Sequence, residues 1–248
     1  MKKKINFHFS VDDVFETLID ISDSKTKLID HWFFSQLFLL WKKFKIKSAV
    51  YLFYEGNILN KKRSLKEVRN LKQELKGNWL YFGPHALNHD SPPHKYEPKV
   101  QKEHFQKIYS EIIRFAGQKY IAKKIRLHEY SESYELANFF KKYNTNTLFS
   151  TDKIVGSHRM PLNKRNELIN KGNTFYKNMH FIRTDFRIEN LKNDINHNLI
   201  IFNKLLKKRK FITIYSHEYE MKKSKIKRSL VSNISLIAKK FNLISKKP

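Results

Sequence analysis

The chain has no cysteine, which excludes disulfides and thiolate zinc sites. It also lacks an apolar run long enough to cross a bilayer. The most apolar stretch, Trp32 to Trp41, is short and is broken by Ser35 and Gln36. The basic opening Met1-Lys2-Lys3-Lys4 is that of a signal peptide. The next residues carry His8, Ser10 and Asp12 in place of an apolar core and a small-residue cleavage site, so the expected location is cytoplasmic. Acidic residues are scarce: 23 against 50 Lys and Arg, a formal charge of +27. Such an excess suits nucleic acid, an anionic membrane surface or a polyanionic substrate. It is equally the composition of Lys-, Asn- and Ile-rich chains from AT-rich genomes. No RNA-recognition, zinc-finger or helix-turn-helix pattern accompanies the charge, so nucleic acid is not the expected partner. Peripheral contact with an anionic membrane surface is compatible with it.

What the chain does have is core-forming material. Hydrophobic residues make up 40% and aromatics 14% of its 248 residues, which suits one α/β domain of barrel size. Strand patterns are expected at Ile5–Asp13, Ser48–Tyr54, Asn78–Phe82, Lys124–Tyr130, Thr145–Thr151, His180–Phe186 and Phe211–Ser216. Between them lie helical patterns. One runs from Ile29 to Phe44, one from Ser64 to Lys76 ended by Gly77, and one from Pro98 to Phe115. Others carry Tyr134, Ala137 and Phe140, then Leu191 to Leu206, then Leu230 to Phe241. Strand and helix alternate without a linker or a repeat, which implies a mainly parallel sheet, closed or nearly closed into a barrel. The polar, basic stretch Lys153–Asn178, with Gly156, Pro161 and Gly172, is too long for an ordinary connection. It reads as a functional loop, lid or insertion spanning 153–179.

In parallel barrels the chemistry sits at the C-terminal ends of the strands. The first strand ends in Asp12 and Asp13. Adjacent carboxylates at a buried strand end are costly to ionise together. A metal ion gives a reason to keep them, one as ligand and one as base; capping of a helix beginning near Val14 is the structural alternative. The third strand runs into Gly83-Pro84-His85-Ala86-Leu87-Asn88-His89. If Pro84 opens a helical turn, His85 and His89 share a face and can share a metal; hydrogen-bonded structural histidines are the alternative. The remaining ends carry Arg126, His128 and Glu129, then Asp152, then Arg183 and Asp185, then His217 and Glu218.

The ordered set Ser10-Val11-Asp12-Asp13, His85-Ala86-Leu87-Asn88-His89, Arg126, Asp152 and Ile212-Thr213-Ile214-Tyr215-Ser216-His217 resembles the NodB-type polysaccharide deacetylases. That family has a deformed (β/α) barrel and removes acetyl groups from sugars with a divalent metal. The resemblance implies a deformed, incomplete (β/α)7 barrel and a single domain over residues 1–248. It implies Asp12 as general base, Asp13, His85 and His89 as ligands of a divalent metal, zinc above all, and Arg126 as the residue holding Asp12 charged. His217 would be the general acid, oriented by Asp152. His128 and Glu218 are further polar residues at the rim and candidate contacts to the substrate, an acetylated sugar or polysaccharide precursor. Val14 replaces the family's Gly, Ala86 its Ser/Thr and His128 its Pro, and Lys153-Ile154 stands where its Trp is expected. Those departures imply a divergent branch with its own substrate, or, as the alternative, an inactive glycan-binding barrel.

Overall fold

The computed structural model describes residues 4–151, 159–190, 197, 200, 203–204, 211–222, 234, 242–245 and 248. Strand β1 (Lys4–Val14) leads into helices α1 (Glu16–Asp23) and α2 (Trp32–Phe44). Then come β2 (Ser48–Phe53), the hairpin β3 (Glu55–Ile58) and β4 (Lys61–Ser64), β5 (Leu80–Ala86) and α3 (Pro98–Phe115). The next elements are β6 (Lys124–Arg126), α4 (Ala137–Lys142), β7 (Thr147–Ser150), α5 (Leu162–Lys171), β8 (Asn173–Tyr176) and β9 (Met179–Arg183). The last are β10 (Phe186–Arg187), β11 (Phe211–His217), α6 (Glu218–Met221) and β12 (Asn242–Ser245).

The main sheet has the order β10-β11-β1-β2-β5, all parallel, with β12 also parallel to the first residues of β1. A second sheet runs β6-β7-β9-β8, with β8 antiparallel at its edge. The chain crosses between the sheets twice. From β9 to β10 it passes through Thr184 and Asp185, and Asp185 Oδ2 accepts from Thr213 N (3.1 Å) on β11. At the other seam β5 meets β6 through the bridge Phe82–Ile121. Gly83 permits that approach: a Cβ there would lie 2.6 Å from Ile125 Cγ2. The result is a deformed (β/α)7 barrel, its positions being β1, β2, β5, β6, β7, β9 continued by β10, and β11. Its ladder is interrupted rather than continuous among the described residues.

Central strands are buried on both faces, as parallel sheets covered by helices require. Phe9, Val11, Val50, Leu52, Phe82, Leu148 and Ile214 are fully enclosed, and each such side chain contributes about 1.5–3 kcal/mol by burial. The polar residues alternating with them are buried too. His8 Nε2 donates to Tyr51 Oη (3.0 Å), which donates on to the Lys124 carbonyl (2.9 Å).

Two sequence expectations change. Ser64–Lys76 forms no α-helix. A capping box on Ser64 and Glu67 starts a single 3-10 turn, Leu65–Glu67. Arg69 then turns inward, binding the carbonyls of Ile21 and Thr26, and Leu71 N donates to the Phe115 carbonyl. These tertiary bonds outcompete the helical ladder. Within the stretch expected as a loop, residues 162–171 form α5 and residues 173–176 form β8, hairpinned to β9. The helices expected over 191–206 and 230–241 lie almost wholly outside the described residues, as does Asp152.

Candidate active site

The adjacent carboxylates enter one cavity because β1 is irregular there. In a regular strand, neighbouring side chains point to opposite faces. Between Val11 and Val14 the pairing with β2 shifts register, and Asp13 takes the left-handed conformation (φ 60°). The bulge re-aims Asp13, so that Asp12 and Asp13 line the same cavity of about 170 Å³. Neither caps the following helix. Phe15 is the cap position of α1, and its first N–H groups are taken by Glu218, whose carboxylate accepts from Phe15 N (2.8 Å), Glu16 N (3.2 Å) and Thr17 N (2.6 Å). Glu218 therefore spends its oxygens on the backbone just beyond Asp13.

Asp12 faces Arg126 from β6. Arg126 Nη1 donates to both carboxylate oxygens (2.9 and 3.1 Å) and to Ser10 Oγ (2.9 Å). The guanidinium also lies over the Tyr215 ring, 4.1 Å from its centroid. Arg126 thus neutralises Asp12 and leaves Asp13 to other partners.

Those partners are two imidazoles. His85 does not begin a helical turn; it belongs to β5, at a second register shift opposite Leu52 and Phe53. Its Nδ1 donates to the Arg126 carbonyl (2.7 Å), which leaves Nε2 with its lone pair, 3.0 Å from Asp13 Oδ1. His128 follows β6, and its Nε2 donates to the His89 carbonyl (3.0 Å). Its Nδ1 lies 3.3 Å from His85 Nε2 and 3.7 Å from Asp13 Oδ1. Three lone-pair atoms therefore converge, all within 4.8 Å of one another. With both imidazoles neutral, no hydrogen-bond donor is aligned on Asp13 Oδ1 among the described residues, although that atom is buried. Three such acceptors facing one another repel unless a cation lies between them, and each imidazole is oriented by a carbonyl behind it. The set fits a divalent ion of the zinc type, with a ligand position left open.

In the metal-free protein a proton competes for the ion's place: burial lowers the His85 pKa, but the hydrogen bond to Asp13 and the charges of Asp12 and Asp13 raise it. Burial opposes ionisation of Asp13, but His85, His217 and His128 outweigh it and hold the carboxyl at about 2. Burial, then the neighbouring His85, lowers His128 to about 4, so its imidazole stays neutral. His128 is held there by a strained turn. Glu129 and Tyr130 both have positive φ (51° and 54°), and Tyr130 Oη bonds Tyr215 Oη at 2.6 Å. Such residues cost about 1–3 kcal/mol each and persist where the surroundings over-determine them.

His89, expected beside His85, is not brought into the group. Its side chain is 77% exposed and its Nδ1 lies 3.3 Å from Asp90 Oδ1. It takes part through its carbonyl. His217 ends β11 in register with Asp12 and lines the cavity. Its Nδ1 (3.3 Å) and backbone N (2.9 Å) both face Glu189 Oε1. Glu189 does not stand out in the sequence; its one signal there is an acidic residue shortly after the sixth strand. Asp185, which ends that strand pattern, is absorbed in tying β10 to β11.

Two further cavities adjoin this one. One, of about 290 Å³, shares Asp13 and is walled by Phe53, Glu55 and Asn57 of the β3–β4 side. The other, of about 370 Å³, shares Tyr130, Arg187 and Tyr215.

No protein-family model matches the chain, and no curated protein matches it. Solved structures do. A Mycobacterium smegmatis protein assigned as a polysaccharide deacetylase superposes with a TM-score of 0.56 at 8% identity, over 98% of this chain and 86% of that one. The 4-alpha-glucanotransferase from Thermococcus litoralis superposes with a TM-score of 0.61 at 12% identity, over 99% of this chain. The chain spans 40% of the length of that glucanotransferase. At such identities the likeness is one of fold. The fold is the deformed (β/α)7 barrel that the NodB-type resemblance implies.

Proposed function

We propose that the chain is a divalent-metal-dependent hydrolase that removes an acetyl group from a sugar of a polysaccharide or glycan precursor. The observation that carries this reading is the convergence of Asp13 Oδ1, His85 Nε2 and His128 Nδ1, with the far nitrogen of each imidazole tied to a carbonyl. Asp13, His85 and His128 would hold the ion; zinc suits two imidazoles and a carboxylate. When bound, such an ion supplies Lewis acidity to the acetyl carbonyl and to an attacking water.

The chain's own residues divide the remaining work. Asp12, paired with and aimed by Arg126, takes the proton from the attacking water. His217, on the neighbouring strand end, donates a proton to the departing amine or alcohol of the sugar. The strained 128–130 turn brings the Tyr130 ring to one wall, and the adjoining cavities give an extended substrate room on both sides. Glycoside transfer, the activity named for the glucanotransferase, is less well served. It asks for two carboxyl groups free to face the bond, whereas Asp13 faces two imidazoles.

The test is zinc titration of chelated protein against a chromogenic competitor, followed by measurement of acetate release from a panel of N- and O-acetylated sugars. The expected result is one zinc per chain and acetate release. Asp13→Ala loses both, and Asp12→Asn loses release but keeps zinc. Absence of zinc binding overturns the hydrolase reading. Zinc binding without acetate release from any sugar turns it toward the inactive glycan-binding barrel.

A further inference from the structure

Arg187, the last residue of β10, stands between two cavities. It lines the one of about 170 Å³ that holds Asp13 and His217, and also the adjoining one of about 370 Å³. The first is smaller than the roughly 300–1,000 Å³ of ordinary ligand pockets, so a glycan reacting there must place its neighbouring unit elsewhere. The second has room for that unit, and Tyr130 and Tyr215, common to both linings, give the two a shared aromatic wall.

The guanidinium is held in place with donors to spare. Nε donates to Glu189 Oε2 (3.3 Å) and Nη2 donates to Tyr219 Oη (3.0 Å). An arginine carries five N–H groups in a planar fork, so both Nη1 hydrogens and one on Nη2 remain. Among the described residues no acceptor is aligned on Nη1. The side chain is 34% exposed, open to a solute entering either cavity. Nearby carboxylates do not take up those donors. Glu189 is not among the described residues lining either cavity. Asp185 lines the larger one, but its side chain is 1% exposed; Oδ2 accepts from Thr213 N (3.1 Å) and Oδ1 lies 3.6 Å from Arg183 Nη2. Arg187 is thus the one cation among the described residues of that lining. The cavity of about 290 Å³ that shares Asp13 has the reverse character: Glu16, Glu55 and Glu218 line it against Lys222, which pairs with Glu16.

We propose that the cavity beside Arg187 is a subsite for an acidic unit of the glycan, in which Arg187 binds the carboxylate of a uronate or a phosphate group on the sugar next to the one deacetylated. The guanidinium fork matches the paired oxygens of either group. The formal charge of +27 gains a use, since it draws a polyanionic glycan to the protein. This deepens the hydrolase reading and rests on it for the sugar that reaches the metal.

The test is calorimetric binding of two matched pairs of probes to the zinc-supplemented full-length protein. The first pair is tetragalacturonate and its neutral methyl ester; the second is phosphorylated maltotetraose and maltotetraose. None carries an acetyl group, so binding is read without turnover. The acidic member of one pair should bind about 10-fold more tightly at low salt, as hydrogen bonds to a charged group allow. That ratio should fall as salt rises. The pair that shows it names the anion. Arg187→Gln should remove the preference, and Arg187→Lys, which keeps the charge without the fork, should reduce it. If Arg187→Gln does not fold, Arg187→Lys decides. Equal affinity within both pairs overturns the inference. So does a preference undiminished in the variants, which is what non-specific attraction to the basic chain would leave. Failure of the hydrolase reading shows separately, as absence of zinc binding and of acetate release, while the affinity ratios are read in either case.

Discussion

Arg126 Nη1 sits 2.9 Å from Asp12 Oδ1, and both side chains are 2% exposed. A pair buried this deeply is costly to break from one side, because the remaining charge stays in a poor solvent. Arg126→Met should destabilise the protein by about 3–5 kcal/mol, read from urea unfolding. The double variant Arg126→Met with Asp12→Leu should recover much of that loss, because it removes both charges. A double variant no more stable than Arg126→Met alone would mean that Arg126 acts chiefly through its packing on Tyr215 and Phe149.

His128 and His89 offer a direct contrast in metal binding. His128 presents Nδ1 to the cluster, whereas His89 presents only its carbonyl to His128. His128→Ala removes a ligand atom and should weaken zinc binding by about 100-fold or more. His89→Ala keeps the carbonyl and should stay within about 10-fold of wild type. Competition titration with a chromogenic chelator reads both. The reverse order would return the third ligand position to His89.

That exchange marks where the sequence is legible and where it is not. Each expected strand position has a strand in the barrel, because strands buried on both faces leave apolar runs that no local competitor erases. Asp12, Asp13, His85, Arg126 and His217 can be placed at strand ends for the same reason. A spacing of four between His85 and His89 puts two rings on one face only if the segment is helical, and His85 is instead in a strand at a register shift. His128 reaches the cluster through two consecutive left-handed residues, Glu129 and Tyr130, neither of which is a glycine that would flag the turn. Glu189 meets His217 across 28 positions of sequence, and only the β10–β11 register aligns them. The 64–76 helix does not form because Arg69 finds carbonyls elsewhere in the fold.

The metal-free protein should be most stable near the ordinary imidazole pKa. His128 is lowered from 6.5 to about 4, so the unfolded chain takes up its proton first as pH falls. Stability from this group is full above 6.5 and is lost between 6.5 and 4, with an upper bound of about 3 kcal/mol. Asp13, lowered from 3.8 to about 2, adds a second loss between those values. His85 runs the other way: its raised pKa means that its contribution fades as pH rises through the folded value. Urea midpoints of chelated protein across pH should follow that profile. In His128→Gln the fall between 6.5 and 4 should flatten. An unchanged slope would place the acid sensitivity elsewhere.

Glu218 supplies the last prediction, because it lines the cavity next to Asp13 while its oxygens are bound to backbone N–H groups. Its two oxygens take three backbone N–H groups at the start of α1, two to four residues beyond Asp13. Left without that acceptor, buried N–H groups at a helix N-terminus cost about 1–3 kcal/mol. Glu218→Ala should therefore lower stability by roughly that amount. It should also loosen the bulge that aims Asp13, weakening zinc binding by about 10-fold, as the loss of a group supporting a metal ligand does. Glu218→Gln keeps one accepting oxygen and should fall between. If instead Glu218 is a substrate contact, Glu218→Gln will raise KM on the acetylated sugar while leaving the urea midpoint and zinc affinity at wild-type values. The unfolding curve and the zinc titration therefore separate the two roles.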